Sequence, residues 1–241
     1  MLGYRRFLKD FAFALLDLRK KRGFHFLRDL RYLSKESSHP MNVIFDIGAN
    51  IGDSTIGYKK YFPNSEIHAF EPVKDTFEVL KKNTHNLQKI FLNNLALSSQ
   101  PGEKRVFLRE NSRVNSLRNE IKSDAQEIQK SQVFKIETVD NYCEANGINK
   151  IDFLKTDTEG FDLEVLSGAS RMISSGNIHM IVVEVSFDPN DKYHTNFESI
   201  SKLLWPNNYG LIGFYDFGYK KNTLAIAHYC NVLYMQCPRH F

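Results

Sequence analysis

From residue 41 onward, apolar and polar positions alternate between two periods. Asn42–Ile47, Ile67–Phe70, Ile90–Leu97, Ile151–Lys155 and Met180–Val185 are short apolar runs of strand length. Between them, Asp53–Tyr61, Lys74–Asn86, Thr138–Ala145, Leu163–Ile173 and Phe197–Leu204 carry the spacing of helices. Val133–Ile136 reads as extended, and two late strands are expected near Leu211–Tyr215 and Val232–Gln236. The polar stretch from Ser98 to Lys130 is expected to hold a hairpin around Lys104–Leu108, then an irregular or helical excursion. Alternation at this spacing predicts an α/β fold: a mostly parallel, doubly wound sheet with ligands outside the carboxyl ends of its strands.

Ahead of residue 41 the pattern is purely helical. Phe7, Phe11, Leu15 and Leu18 recur at amphipathic spacing, with Arg5, Lys9, Arg19 and Lys20 around them. After Gly23, a second helical stretch is marked by Phe26, Leu27, Leu30 and Leu33, and Ser34–Pro40 reads as a connector. The chain is therefore divided into an arm, 1–40, and a domain, 41–241. Packing on the domain, peripheral membrane contact, dimerisation and nucleic-acid contact are all physically open to such an arm.

Charge sharpens that division. The 241 residues carry a net charge of +4, but residues 1–40 hold 10 Lys+Arg against 4 Asp+Glu, leaving the remainder mildly acidic. An apolar fraction of 42% excludes whole-chain disorder. Cys143, Cys230 and Cys237 are widely spaced, with no pairing or zinc-ligand pattern, which suits a reducing compartment. The apolar stretch Phe11–Leu16 is too short for a secretory signal, and nothing is long enough to span a bilayer. A cytoplasmic location, with the membrane surface open to the arm, is the expectation.

The candidate chemistry begins at Val43–Asp53. A buried strand ends at Asp46 and runs into a turn with Gly48, Asn50 and Gly52 before a helix. Glycine lets backbone come close to a ligand, and asparagine tolerates a left-handed conformation. The spacing departs from the G-x-G-x-x-G of dinucleotide sites, and Asp53 stands where a pyrophosphate would dock. S-adenosylmethionine, with a sulfonium and no phosphate, tolerates acidic neighbours. Glu71 closes the next strand 19 residues beyond Gly52, where a carboxylate can accept from both ribose hydroxyls, and Pro72 stops that strand. Alone, each feature has a plainer reading: a strand-to-helix turn and a solvated strand-end charge.

Taken together these residues resemble the FkbM family of S-adenosylmethionine-dependent methyltransferases. The matching blocks are Phe45–Gly52, Phe70–Pro72, Asn94–Ser98, Thr138–Asp140 and Ile151–Gly160, the last followed by Phe161, Glu164, Val165, Leu166, Gly168 and Ala169. The resemblance implies a class I methyltransferase fold, a seven-stranded sheet whose last strand is antiparallel. It also implies O-methylation of a sugar, glycan or polyketide-type acceptor. Asp46, Gly48, Asn50 and Gly52 would surround the methionine moiety, Glu71 with Pro72 the ribose, and Asn94, Ala96 and Leu97 the adenine. Asn115 and Ser116 echo a polar pair near the family's site.

Four residues compete for the acceptor side. Asp157 and Glu159 follow a buried strand at the edge facing the donor methyl; either could orient the acceptor, act as base, or merely cap the next helix. Glu184 ends an apolar strand and is costly there unless partnered. His194, on a loop over the same edge, has a base's intrinsic pKa, although an isolated loop histidine is often only surface. Asp157, Glu159, Glu184 and Asp188 could form an oxygen-ligand metal site, yet no Asp-Asn pair follows the fifth strand, so no metal is expected. A nucleic-acid methyltransferase is the main rival. Asp157-Thr-Glu-Gly160 lacks the pattern of amino-methylating enzymes, and no cysteine stands where a cytosine-C5 nucleophile would be needed. A non-catalytic cofactor-binding scaffold and a dinucleotide oxidoreductase complete the alternatives.

Overall fold

A computed structural model describes residues 26–109, 128–188, 190–191, 193–219 and 226–237. Within these, α1 (Phe26–Glu36) leads into β1 (Val43–Ile47), α2 (Asp53–Tyr61), β2 (Glu66–Phe70), α3 (Lys74–Thr84) and β3 (Ile90–Asn93). Then come β4 (Ala96–Leu97), β5 (Gly102–Arg109), β6 (Ile128–Glu137), α4 (Val139–Ala145), β7 (Ile151–Thr156), α5 (Asp162–Ser167) and α6 (Ser170–Ser174). The chain ends through β8 (Ile178–Ser186), β9 (Thr195–Asn196), α7 (Phe197–Leu204), a 3-10 turn (Trp205–Asn207), β10 (Tyr209–Tyr219) and β11 (Ala227–Gln236).

The main sheet runs β3-β2-β1-β7-β8-β11-β10. β1 is parallel to β2 and β7, β2 to β3, and β7 to β8, while β11 lies antiparallel between β8 and β10. This is the expected class I methyltransferase order with the last strand reversed; the two-residue β9, parallel to the end of β8, adds an eighth.

Strand periodicity explains the two-sided burial. In β1 and β7, Ile44 and Phe153 join one core with Met180 and Val182, while Phe45 and Leu154 join the other with Ile181 and Val183. Leu30 and Leu33 of α1 and Tyr58 of α2 close the first core. Val139, Val165, Leu166, Ile200 and Leu204, from α4, α5 and α7, close the second. The second helical stretch of the arm is thus packed against the sheet, with Leu30 fully buried.

Two elements divide where the periodicity reads as continuous. Ile90–Leu97 splits because the chain leaves the main sheet after Asn93; Ala96 and Leu97 pair with Ile136 and Glu137 in a small second sheet with β5. Leu163–Ile173 splits at Gly168, where a Cβ would stand 2.0 Å from the Ser98 carbonyl oxygen, so backbone must pass backbone there. Lys104–Leu108, expected to hold a hairpin, lies within the single strand β5, which pairs antiparallel with β6, the strand that contains the expected extended Val133–Ile136. The expected excursion, Asn115 and Ser116 included, falls between β5 and β6 in the chain, and it and the first helical stretch of the arm lie outside the described residues.

Candidate active site

At the carboxyl ends of the parallel strands lies a cavity of about 710 Å³, the expected place for a ligand in an open α/β sheet. One side is built by the turn after β1 and the end of β2. Gly48 has φ 76°, and a Cβ there would stand 1.9 Å from the Asp157 carbonyl oxygen. Its glycine is therefore required by the neighbouring strand end as well as by any ligand. Asn50 adopts φ 51°, the left-handed conformation expected of it, and its N–H donates to Glu71 Oε2 at 3.1 Å. Val73 N–H donates to Oε1 at 2.9 Å, so Glu71 is buried with one backbone donor on each oxygen. Burial pushes its carboxyl up to about 7, against those hydrogen bonds.

Asp46 is fully buried beneath that turn. Its Oδ2 accepts from Ser54 Oγ at 2.7 Å and Thr55 Oγ1 at 2.6 Å, tying the end of β1 to the start of α2. Among the described residues its Oδ1 has no hydrogen-bond donor, but it faces Lys155 Nζ at 3.5 Å. The same ammonium lies 3.2 Å from Asp157 Oδ2 and donates to the Gly48 carbonyl at 3.2 Å. Burial favours the neutral amine, yet Asp157 and Asp46 outweigh it and hold Lys155 above its usual range.

The opposite side gathers residues far apart in sequence. Asp157 and Glu159 follow β7, Glu184 lies near the end of β8, and His194 stands on the loop before β9; all four line the cavity. Burial, then the neighbouring carboxylates, raises Glu159 to about 7 and Glu184 to about 9. His194 Nε2 lies 3.5 Å from Glu184 Oε2, and its ring stacks on Tyr229 with centroids 4.4 Å apart. Its Nδ1 lies 2.7 Å from Asp191 Oδ2, to which His228 Nε2 also approaches at 3.1 Å. Glu159 itself has φ 54° and Asp216, on β10, φ 53°. With Asn50, three non-glycine residues in left-handed conformations thus line one cavity, a strain that local packing must hold in place.

Of the residues expected at the cofactor side, Gly48, Asn50, Glu71, Pro72, Ala96 and Leu97 line the cavity. Asp46, Gly52 and Asn94 do not. Asp46 acts from beneath through α2 and Lys155, Gly52 (φ 99°) starts α2 against Leu80, and exposed Asn94 donates to the Glu71 and Pro72 carbonyls at 2.9 and 3.1 Å. Sequence reasoning passed over Lys155, Asp191, Asp216, His228, Tyr229 and Asn231. Only Lys155, the lone cation in the buried run Ile151–Thr156, carried a local signal. Phe26 and Leu27 of α1 also line the cavity.

The fit to an adenosyl sulfonium is direct. Glu71 keeps a free lone pair on each oxygen for a ribose diol, Ala96 and Leu97 give an apolar edge for a base, and the acidic surroundings suit a cation. The profile of the methyltransferase FkbM domain matches residues 46–219.

The chain belongs to the FkbM family. It is an S-adenosylmethionine-dependent methyltransferase. Among curated relatives of this FkbM protein, hexuronic acid methyltransferase AglP of Haloferax volcanii is 26% identical over 172 residues, 68% of each chain. Methyltransferase 1 of Beauveria bassiana is 27% identical over 144 residues, 52% of this chain and 57% of that one. A solved structure of similar shape is magnesium protoporphyrin IX methyltransferase (ChlM) from Synechocystis PCC 6803 with bound SAM. It is 10% identical, with TM-score 0.48, over 87% of this chain and 77% of that chain. Among the described residues no group of three or more His, Cys, Asp or Glu could hold a metal ion, and no helix is long and apolar enough to cross a membrane.

Proposed function

We propose that this FkbM methyltransferase transfers its methyl group to a hydroxyl of a sugar, glycan or secondary-metabolite acceptor. The observation that carries the reading is the far wall of the cavity, where Asp157, Glu159, Glu184 and His194 converge opposite Glu71. The bound cofactor supplies a methyl group already activated on a sulfonium. What the chain must add is alignment of the attacking oxygen and a place for its proton, and a proton acceptor contributes roughly 10²–10⁴-fold. Carboxylates and amides beside a stacking ring suit a polyhydroxylated acceptor: Glu184 and Asn231 offer hydrogen bonds and Tyr229 an aromatic face. The likeness to a hexuronic acid methyltransferase supports a carbohydrate.

The test is incubation with methyl-labelled S-adenosylmethionine, a panel of neutral and acidic sugars, and a host glycan and metabolite extract. Labelled product is then located by NMR. An O-methyl resonance is expected; label found only on nitrogen or carbon would overturn the assignment.

A further inference from the structure

His194 is held by its ring and by both of its nitrogens. Tyr229 stacks on its face at 15° between planes, Nδ1 meets Asp191, and Nε2 is turned toward Glu184 on the cavity wall. Asp191 is itself fixed: its side chain is 1% exposed, its Oδ1 accepts from the N–H groups of Tyr193 at 2.7 Å and His194 at 3.2 Å, and its Oδ2 faces both imidazoles. Those hydrogen bonds overcome burial and hold the Asp191 carboxyl at about 2. An ionised carboxylate only accepts, so the proton between the partners sits on His194 Nδ1. The nitrogen left to exchange a proton is Nε2, the one facing the cavity.

We infer that His194 Nε2 is the general base of the methyl transfer and that Asp191 is its positioning residue, fixing ring orientation and tautomer through Nδ1. The inference rests on the hydroxyl-transfer reading above and deepens it. As the acceptor oxygen takes the methyl group, its O–H proton passes to Nε2. The electron pair of the broken methyl–sulfur bond stays on sulfur, and the imidazolium later releases its proton to solvent. Asp191 stabilises that imidazolium without taking the proton. Glu184, 3.5 Å from Nε2, stands where it can hydrogen-bond the same acceptor hydroxyl. His228, on the other side of Oδ2, helps to hold the carboxylate in place.

The decisive experiment uses the full chain with nitrogen-15-labelled histidine, the His194 signals being assigned by their loss in His194→Ala. In the wild type, Nδ1 is expected to carry the proton of the neutral ring; a neutral ring protonated on Nε2 overturns the inference without any assay. Asp191→Asn places an amide against Nδ1 and is expected to shift the tautomer toward Nε2–H. It should lower kcat by about 10²–10⁴-fold, with S-adenosylmethionine affinity by calorimetry and KM within about twofold. His194→Ala should cost a similar factor, and the double variant little more, since the two act as one unit. An Asp191→Asn enzyme that binds cofactor and keeps kcat within about threefold also overturns the inference. If the wild type methylates no hydroxyl, the hydroxyl-transfer reading falls, while the tautomer still decides the pairing.

Discussion

A Cβ on residue 48 would stand 1.9 Å from the Asp157 carbonyl oxygen, so the turn after β1 and the end of β7 can meet only through Gly48. Gly48→Ala must displace the segment that carries Asp157 and also strain a backbone at φ 76°. We expect a loss of at least about 2 kcal/mol in urea unfolding, with cofactor binding lost in the fraction that still folds. A variant of native stability would contradict the geometry.

Glu71 is the wall residue whose two oxygens are each half-used. Glu71→Ala should weaken S-adenosylmethionine binding by about 10²-fold or more, because it removes the carboxyl's hydrogen bonds to the ligand and frees the Asn50 turn. Calorimetry measures this directly. Affinity within threefold of wild type would remove Glu71 from the ribose side.

Lys155 lies between Asp46 and Asp157 at 3.5 and 3.2 Å. Lys155→Met leaves Asp46 buried without a counter-charge, and breaking a buried pair from one side typically costs about 3–5 kcal/mol. Adding Asp46→Asn should recover part of that loss. Additive losses in the double-mutant cycle would show that the two residues do not interact.

Two histidines held neutral by burial, His68 and His179, oppose folding on acidification. The Tyr142 hydroxyl donates to Asn93 Oδ1 at 3.1 Å and so accepts from His68 Nδ1 at 2.8 Å, while Phe91 stacks on the same ring. Burial lowers His68 to about 4, and His179, stacked on His39, likewise to about 4. Between the ordinary histidine value near 6.5 and 4, the unfolded chain binds protons that the native one refuses. The histidines' contribution is therefore retained above about pH 6.5 and lost as pH drops toward 4, opposite in sign to that of Glu71, Glu159 and Glu184, whose raised carboxyls favour the native state on acidification. With allowance for solvent screening, each histidine accounts for about 1–2 kcal/mol. Urea melts at pH 7 and pH 5 check this: measured relative to wild type, His68→Phe should be more favourable at pH 5 than at pH 7, and a difference independent of pH would remove His68 from the pH dependence.

The cofactor side was legible because it is local. Gly48, Asn50 and Glu71 lie within one strand–turn–helix–strand unit, where spacing alone fixes which groups meet. The opposite wall was legible in part: Glu184 stood out as a carboxylate in an apolar strand, and His194 as a titratable loop residue. Their distant partners were not, because His228 and Tyr229 come alongside Asp191 and His194 only once β11 has folded back along β8, a pairing with no short-range signature. Lys155 reads as the lone cation in a buried strand until β1 and β7 pair and bring Asp46 alongside it. Gly168 hid a helix break because its constraint comes from Ser98, seventy residues away in the chain.

Apart from Phe26, Leu27 and Phe134, the cavity is lined by two separate stretches of chain. Its Glu71 face is drawn from residues 47–97, and its His194 face largely from residues 155–231. Substitutions in the loop after β8 or in the β10–β11 hairpin can reshape the second face while leaving the Gly48 turn and the Glu71 carboxylate untouched. The architecture therefore separates what must be conserved for a common donor from what can diverge for new acceptors. Exchanging the hairpin and loop between relatives is the natural route to altered selectivity.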